Sequence, residues 1–354
     1  MLATLPAIAA DGFDVLIAAP PHGPLADELS RRGISHLEWR THDEPGRRFP
    51  LNQLRADLAT LSRQTMPDLL HANSLSTARI SGPVAVECGV RSIGHLRDIL
   101  KLAAQAIDDL NLHGHLLAVS RATRDFHVAQ GLDAAKCHVV HNGVDLAEFF
   151  PRPSTGYLHH ELSLPAVARY AAVIGQIGFR KGTDIALQAA QQIVAEFPEL
   201  HWLIVGERTS NKDESREFER ALRSMAAEAC LACRVHFLGN RTDVPNLLTE
   251  CDLLVHTARQ EPLGRVLLEA AASGVAVVAS DVGGTREIFP PDAHAAILIP
   301  PDDPGASADA IRGLLRDDAR RNAIKAAARE RAESAFDIRN AAANLIEQYR
   351  TVLK

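Results

Sequence analysis

The 354 residues predict two α/β domains, each a doubly wound parallel sheet, facing a common cleft. Three observations lead there. Apolar runs of strand length alternate with amphipathic runs of helix length along nearly the whole chain. That alternation starts afresh near Ala171, after the proline-bearing stretch Pro151 to Pro165, read as an interdomain linker. The clearest unit runs from Asp252 to Ala279, where the order is strand, polar loop, helix, the stop Gly274 and a second strand.

Composition narrows the class. With 46% hydrophobic and 23% charged residues the chain is an ordinary globular protein. A formal net charge of -6 and a pI near 6.2 give no footprint for nucleic acid, so none is expected as a partner. The five cysteines are odd in number and scattered, which suits a reduced, cytoplasmic setting. Cys230 and Cys233 form the one close pair, and without a second pair they do not suggest a metal. No apolar run approaches the roughly 20 residues that span a bilayer. Met1 to Ala10 lacks a basic start and meets Asp11 at once, so it is not read as a signal peptide.

In order, residues 2–10 read as the tail of a helix and Asp14 to Pro21 as a strand. A helix from Gly23 towards Gly33 and a strand near Ile34 to Leu37 follow. From Arg31 to Arg63 there are seven arginines and no lysine, which read either as a solvated face diluted by acids or as a peripheral contact with an anionic inner membrane surface. Pro67 to Ser74 and Val90 to Asp98 are strand-like, and His95 falls at the carboxyl end of the second. A histidine there either orients a ligand hydroxyl or is a polar residue satisfied within the fold. His113 and His115 lack a companion acid or cysteine at ligand spacing and are read as structural. Leu116 to Ser120 is a strand, with Ser120 as N-cap of the next helix. Asn142-Gly143 has the chemistry of a turn that tolerates positive φ, and is read as the exit from the first domain. The domains are therefore set at 1–158, completed by the terminal helix 337–354, and 159–336.

The second domain opens with the strand Ala171 to Ile174 and the loop Gly175-Gln176-Ile177-Gly178-Phe179-Arg180-Lys181-Gly182. It is not a Walker loop, since Arg180 stands where that motif has glycine. Thr183 to Ala195 is a helix, His201 to Glu207 a strand, 213–229 a charged amphipathic helix and Val235 to Arg241 a strand with its loop. Glu261 lies in the loop at the sheet's carboxyl edge, where open α/β sheets bind ligands. Glu269 lies about a turn and a half into the helix, and the free amides between the two acids suit a phosphate. Asp281 to Ile288 is a glycine-bearing loop, Ile297 to Pro300 a late strand, and three helices close the chain.

The stretch from Glu261 to Ala270 resembles the E-x7-E signature of the retaining, nucleotide-sugar-dependent glycosyltransferases of family 4, whose fold is GT-B. The PD-hydrophobic-H element at Pro67 to His71, the NGVD turn at Asn142 to Asp145 and the glycine loop at 175–182 extend the likeness to about residues 12–354. The resemblance implies that Glu261 contacts the donor sugar and Glu269 holds the ribose hydroxyls. It puts the donor diphosphate on the backbone of Leu263, Gly264, Arg265 and Val266. Lys181 would neutralise the leaving diphosphate, His95 would touch sugar and acceptor, and the loop ending at Arg241 would lie against the base. Catalytic roles thus fall on Glu261, Lys181 and His95.

The sequence departs from the family in three places. Leu263 replaces the usual Phe, and Gln176 the usual Arg, with Arg180 adjacent as a compensating cation. The family's first strand and its glycine-rich loop have no counterpart, which implies either a late start or a reduced acceptor side. The expected activity is hexosyl transfer from a nucleoside diphosphate sugar to a hydroxyl acceptor. No cofactor is implied, and no metal, because the chain has no Asp-x-Asp. An epimerase or hydrolase of the same fold, and a catalytically degenerate relative, remain as alternatives.

Overall fold

The computed structural model describes residues 2–44 and 46–354. The chain divides into two units: residues 1–141 with 339–354, and residues 142–338. The division thus falls after His141 rather than after residue 158, because 142–158 run over the second unit. Val144 bridges to Asp337, and the Glu250 carboxylate accepts from the Thr155 amide at 2.7 Å and the Ser154 hydroxyl at 2.6 Å. The stretch expected to be only linker also carries a short helix, Tyr157–Glu161. Neither Asn142 nor Gly143 takes a positive φ.

The first unit holds two parallel sheets. The smaller pairs β1 (Ile17–Ala19) with β2 (His36–Glu38). The larger runs in chain order through β3 (Leu69–Ala72), β4 (Arg91–Leu96), β5 (His115–Ala118) and β6 (Cys137–Val139). The strand expected from Asp14 is cut to three residues. The expected helix over 2–10 is a 3-10 turn, Leu2–Thr4, running into the helix Leu5–Ala10. Ser120 caps its helix as expected, accepting from the Thr123 amide. The last helix, Ile338–Leu353, buries Leu345, Ile346 and Tyr349 against Ile93 and Leu117 of this unit.

The second unit is one parallel sheet of six strands: β7 (Arg169–Ile174), β8 (Leu200–Val205), β9 (Val235–Gly239), β10 (Leu253–His256), β11 (Ala276–Ser280) and β12 (Ile297–Ile299). Their order across the sheet is β12-β11-β10-β7-β8-β9. β8, β10 and β11 are buried at every residue, as continuous apolar runs must be when helices cover both faces. One face packs the helices Thr183–Ile193 and Pro304–Arg316, the other Arg265–Ala272 and Asp318–Ala335. The order reverses between β7 and β10. Their crossover helices leave in opposite directions there, opening a crevice at the carboxyl ends of those two strands.

Candidate functional site

Two loops meet at that reversal, one after β7 and one after β10. After Ile174 the backbone turns at Gly175, whose amide donates to the Val205 carbonyl at 2.9 Å. A 3-10 turn, Phe179–Lys181, then ends at Gly182, held at φ +63. Gly182 lies so close to the Thr257 carbonyl that a Cβ would collide with it, and the Thr257 hydroxyl donates to the Gly182 carbonyl at 2.7 Å. Glycine is therefore required both by the dihedral and by the approach. Arg259 fastens the second loop to the first. Its guanidinium donates to the Phe179 carbonyl at 2.8 Å, pairs with Asp184 at 2.7 Å and lies over the Phe179 ring.

This clamp brings Lys181 to Glu261. The Lys181 Nζ stands 2.6 Å from Glu261 Oε2, and His256 Nε2, at the end of β10, stands 2.8 Å from the same oxygen. The acid is 5% exposed. Burial pushes its carboxyl upward, but the His256 hydrogen bond and the charges of His256 and Lys181 outweigh it and hold the pKa down to about 2. Glu261 is thus a fixed anion at neutral pH. A third loop supports its backbone: Gly284 donates to the Glu261 carbonyl at 3.0 Å, and a Cβ on Gly283 would strike that carbonyl.

Beyond Glu261 the chain turns at Gly264, φ +106, into the helix Arg265–Ala272, whose start no side chain caps. A Cβ on Gly264 would come within 2.6 Å of Leu267 Cδ1. Leu263 is 1% exposed, so the residue that departs from the family pattern fills the core beneath the turn. Further along, Arg265 Nε lies 3.1 Å from Glu269 Oε1 while remaining exposed itself. Burial raises the Glu269 carboxyl to about 6, with Arg265 opposing and Glu148 adding to the rise. Glu269 is an acceptor short of partners.

The other expected residues lie as follows. Gln176 is exposed and donates to the Thr209 hydroxyl. Arg180 sits on the same turn as Lys181, its side chain without a hydrogen bond or ion pair among the described residues. Val266 follows Arg265 in the helix's first turn. Arg241 is not gathered with these groups. Its guanidinium is taken up by Asp243, at 2.8 Å, and by Glu161, with the Tyr157 hydroxyl completing the network through Asp243. Its guanidinium, spent on two carboxylates, ties down the loop whose backbone the resemblance sets against the base. His95 belongs to the first unit, in a separate histidine cluster.

Sequence reasoning missed His256 and Arg259. His256 looked like the last residue of a strand; its signal was a lone polar residue ending an apolar run five positions before Glu261. Arg259 had no motif at all. The paired histidines are structural as expected: His113 is fully buried, with Ser92 and the Ala78 carbonyl each at 2.9 Å, and His115 bonds Gln348. Cys230 and Cys233 are free and exposed, and no metal-binding group of side chains occurs among the described residues. Of the seven arginines from 31 to 63, Arg31, Arg32, Arg47 and Arg63 pair with carboxylates at the surface, and Arg55 pairs with the buried Asp109. No helix among the described residues is long and apolar enough to cross a membrane.

The order reversal of this doubly wound sheet thus gathers cations, acids and an uncapped helix start at the edge where open α/β sheets bind ligands. Comparison with known proteins makes the class definite. Residues 159–331 match the family of glycosyl transferases group 1, and residues 1–148 match glycosyltransferase family 4. The chain belongs to the glycosyltransferases of family 4 and has the GT-B fold. Phosphatidyl-myo-inositol mannosyltransferase of Mycolicibacterium smegmatis is 34% identical over 67% of this chain and 57% of its own length. D-inositol 3-phosphate glycosyltransferase of Corynebacterium urealyticum is 29% identical over 64% of this chain and 54% of its own. The chain thus aligns with little more than half the length of these relatives. Among solved structures, Anabaena Alr3699/HepE in complex with UDP and glucose superposes with a TM-score of 0.85 at 24% identity, over 99% of this chain and 96% of that one.

Proposed function

We propose that this protein is a retaining glycosyltransferase that moves a hexosyl group from a nucleoside diphosphate sugar to a hydroxyl acceptor without a metal ion. The observation that carries it is the contact of Lys181 with Glu261, one turn before an uncapped helix start, at the switch point of the second sheet. The likeness to a structure solved with UDP and glucose, and to a mannosyltransferase and an inositol phosphate glycosyltransferase, supports the donor class.

The chemistry follows from the charges. As the bond between the anomeric carbon and the diphosphate oxygen breaks, negative charge grows on the diphosphate and positive charge on the ring. Lys181, Arg180 and the amides at Leu263 to Val266 oppose the first by preorganised electrostatics. The Glu261 anion accepts sugar hydroxyls through Oε1, because Oε2 is taken by Lys181 and His256. Glu269 accepts the ribose hydroxyls. The acceptor oxygen bonds to the anomeric carbon on the face that the diphosphate leaves, and its proton passes to the departing phosphate oxygen. A same-face displacement of this kind needs no nucleophile from the protein.

Calorimetric titration with uridine and guanosine diphosphates tests the donor site. Binding of one of them, weakened at least tenfold by Lys181→Ala and by Glu269→Ala, is the expected result; absence of binding to both would remove the reading. The anomeric configuration of the product, with chelator present, tests retention and metal independence.

A further inference from the structure

The connection from the helix Asp213–Ala226 into β9 carries Cys230 and Cys233, the close pair that the groups around Lys181 leave unused. The Leu231 and Ala232 amides both donate to the Glu228 carbonyl, at 2.9 and 2.8 Å, which closes one helical turn. Cys233 then takes φ +64, and the Arg234 amide donates back to the Leu231 carbonyl at 2.9 Å, reversing the chain into the strand. The turn is fixed to the second unit twice. Leu231 is fully buried in the core, and the Trp202 amide of β8 donates to the Arg234 carbonyl at 2.7 Å. Cys230 and Cys233, on either side of Leu231 and Ala232, are left exposed, and neither thiol has a hydrogen-bond partner among the described residues.

Residues three apart on a helical turn face the same way, about 5–6 Å from each other, close to the span of a disulfide. A cysteine at φ +64 is uncommon, and such a backbone is kept only where its surroundings impose it. Here the buried Leu231 and the β8 contact impose it, and they hold Cys233 just past the turn that carries Cys230. The other three cysteines are poorly placed to react. Cys137 and Cys251 are buried, and burial raises both thiols, Cys137 to about 11. Cys88 is half-buried, its thiol turned to the Ala59 carbonyl at 3.9 Å. An oxidant in solution therefore meets Cys230 and Cys233 first.

We infer that Cys230 and Cys233 are a reversible dithiol–disulfide couple, the site at which the folded chain is oxidised by a low-molecular-weight disulfide such as oxidised glutathione. One thiolate attacks a sulfur of the oxidant, forming a mixed disulfide and releasing one thiol. The second thiolate attacks the protein sulfur of that mixed disulfide, which closes the bridge and releases the other. The two cysteines give up two electrons and two protons, and the oxidant leaves as two thiols. Closure runs within one turn of chain, so the mixed disulfide does not accumulate. The exposed bridge is open to the reverse attack, which makes it labile. The turn precedes the amino end of β9, whereas Lys181 and Glu261 follow the carboxyl ends of β7 and β10. The couple is thus separate from the donor site and does not rest on the donor reading.

Equilibration of the whole, folded chain in glutathione buffers, from fully reduced to fully oxidised, tests it. After an acid quench and alkylation of the remaining thiols, mass spectrometry reads each cysteine. The expected result is that the tryptic peptide 224–234, which holds both cysteines, becomes lighter by two hydrogens, while Cys88, Cys137 and Cys251 are recovered alkylated. Reduced glutathione should restore the dithiol, and a gel without reductant should show the oxidised chain as a monomer. Cys230→Ser and Cys233→Ser should each stop at a stable glutathione adduct on the remaining cysteine, because the second attack is lost. Three results overturn the inference. Glutathione adducts that persist on both cysteines of the unaltered chain would show that the turn holds them apart. A bridge that forms only in urea would show the same of the folded state. Oxidation of Cys88, Cys137 or Cys251 ahead of this pair would deny it its place as the site.

Discussion

Glu261 and Glu269 are eight residues apart and are driven to opposite extremes by their surroundings. Glu261 has two cationic or proton-bearing partners on one oxygen and stays ionised; Glu269 is nearly as buried, with one exposed arginine for company. Because its free carboxyl is raised to about 6, and ribose hydroxyls favour the ionised form, nucleotide binding should release a proton. Affinity should therefore fall as pH drops from about 7 to 5 and level off above about 7. Calorimetry over that range in buffers of different ionisation heat checks this, and Glu269→Gln should flatten the profile. His256 is tested by stability. His256→Leu leaves the buried anion to Lys181 alone and should destabilise the second unit by about 2–3 kcal/mol, the worth of a hydrogen bond to a charged group. Urea unfolding at pH 7 measures it, with His256→Gln, which keeps a donor, recovering part of the loss.

At the scale of elements, the site is three loops pressed together through glycines. Gly182 lies against Thr257 and Gly283 against Glu261, both at positive φ with no room for a Cβ. Gly283→Ala should destabilise the protein by about 3 kcal/mol, at the upper end for overpacking, and should weaken nucleotide binding through displacement of Glu261. Gly178→Ala is the control, since Gly178 is extended and nothing lies within 4 Å of its would-be Cβ; it should be near neutral. Thermal unfolding and nucleotide titration of the two variants check the contrast. The clamp also explains why Lys181, eighty residues before Glu261, bonds it: β7 and β10 are neighbours in the sheet although β8 and β9 intervene in the chain.

At the scale of the molecule, the chain's last helix completes the unit with which the chain begins. Leu345, Ile346 and Tyr349 bury their side chains there, and full burial of each stabilises by about 1.5–3 kcal/mol. Their sum rivals the whole stability of a domain. Deletion of 339–354 should accordingly abolish the first unit's unfolding transition in scanning calorimetry, while the second unit, 142–338, retains its own. Diphosphate binding should survive the deletion, since Lys181, Glu261, Gly264 and Glu269 all lie in the second unit.

The sequence by itself determined the elements and the class. Apolar runs, glycine stops and the E-x7-E stretch are local patterns whose meaning does not depend on what packs against them, and they placed the strands, the helices, Glu261, Glu269 and the Lys181 loop. Where the sequence erred, the deciding contact was distant in the chain. Nothing near Arg241 in the sequence announced that Glu161, eighty residues before it, would pair with its guanidinium. Residues 142–158 read as part of the first domain until Asp337 and Glu250 held them to the second. Arg259 has no spacing to betray it. Hydrogen bonds and ion pairs act over a few ångströms of space, and only the tertiary structure decides which residues come within that reach.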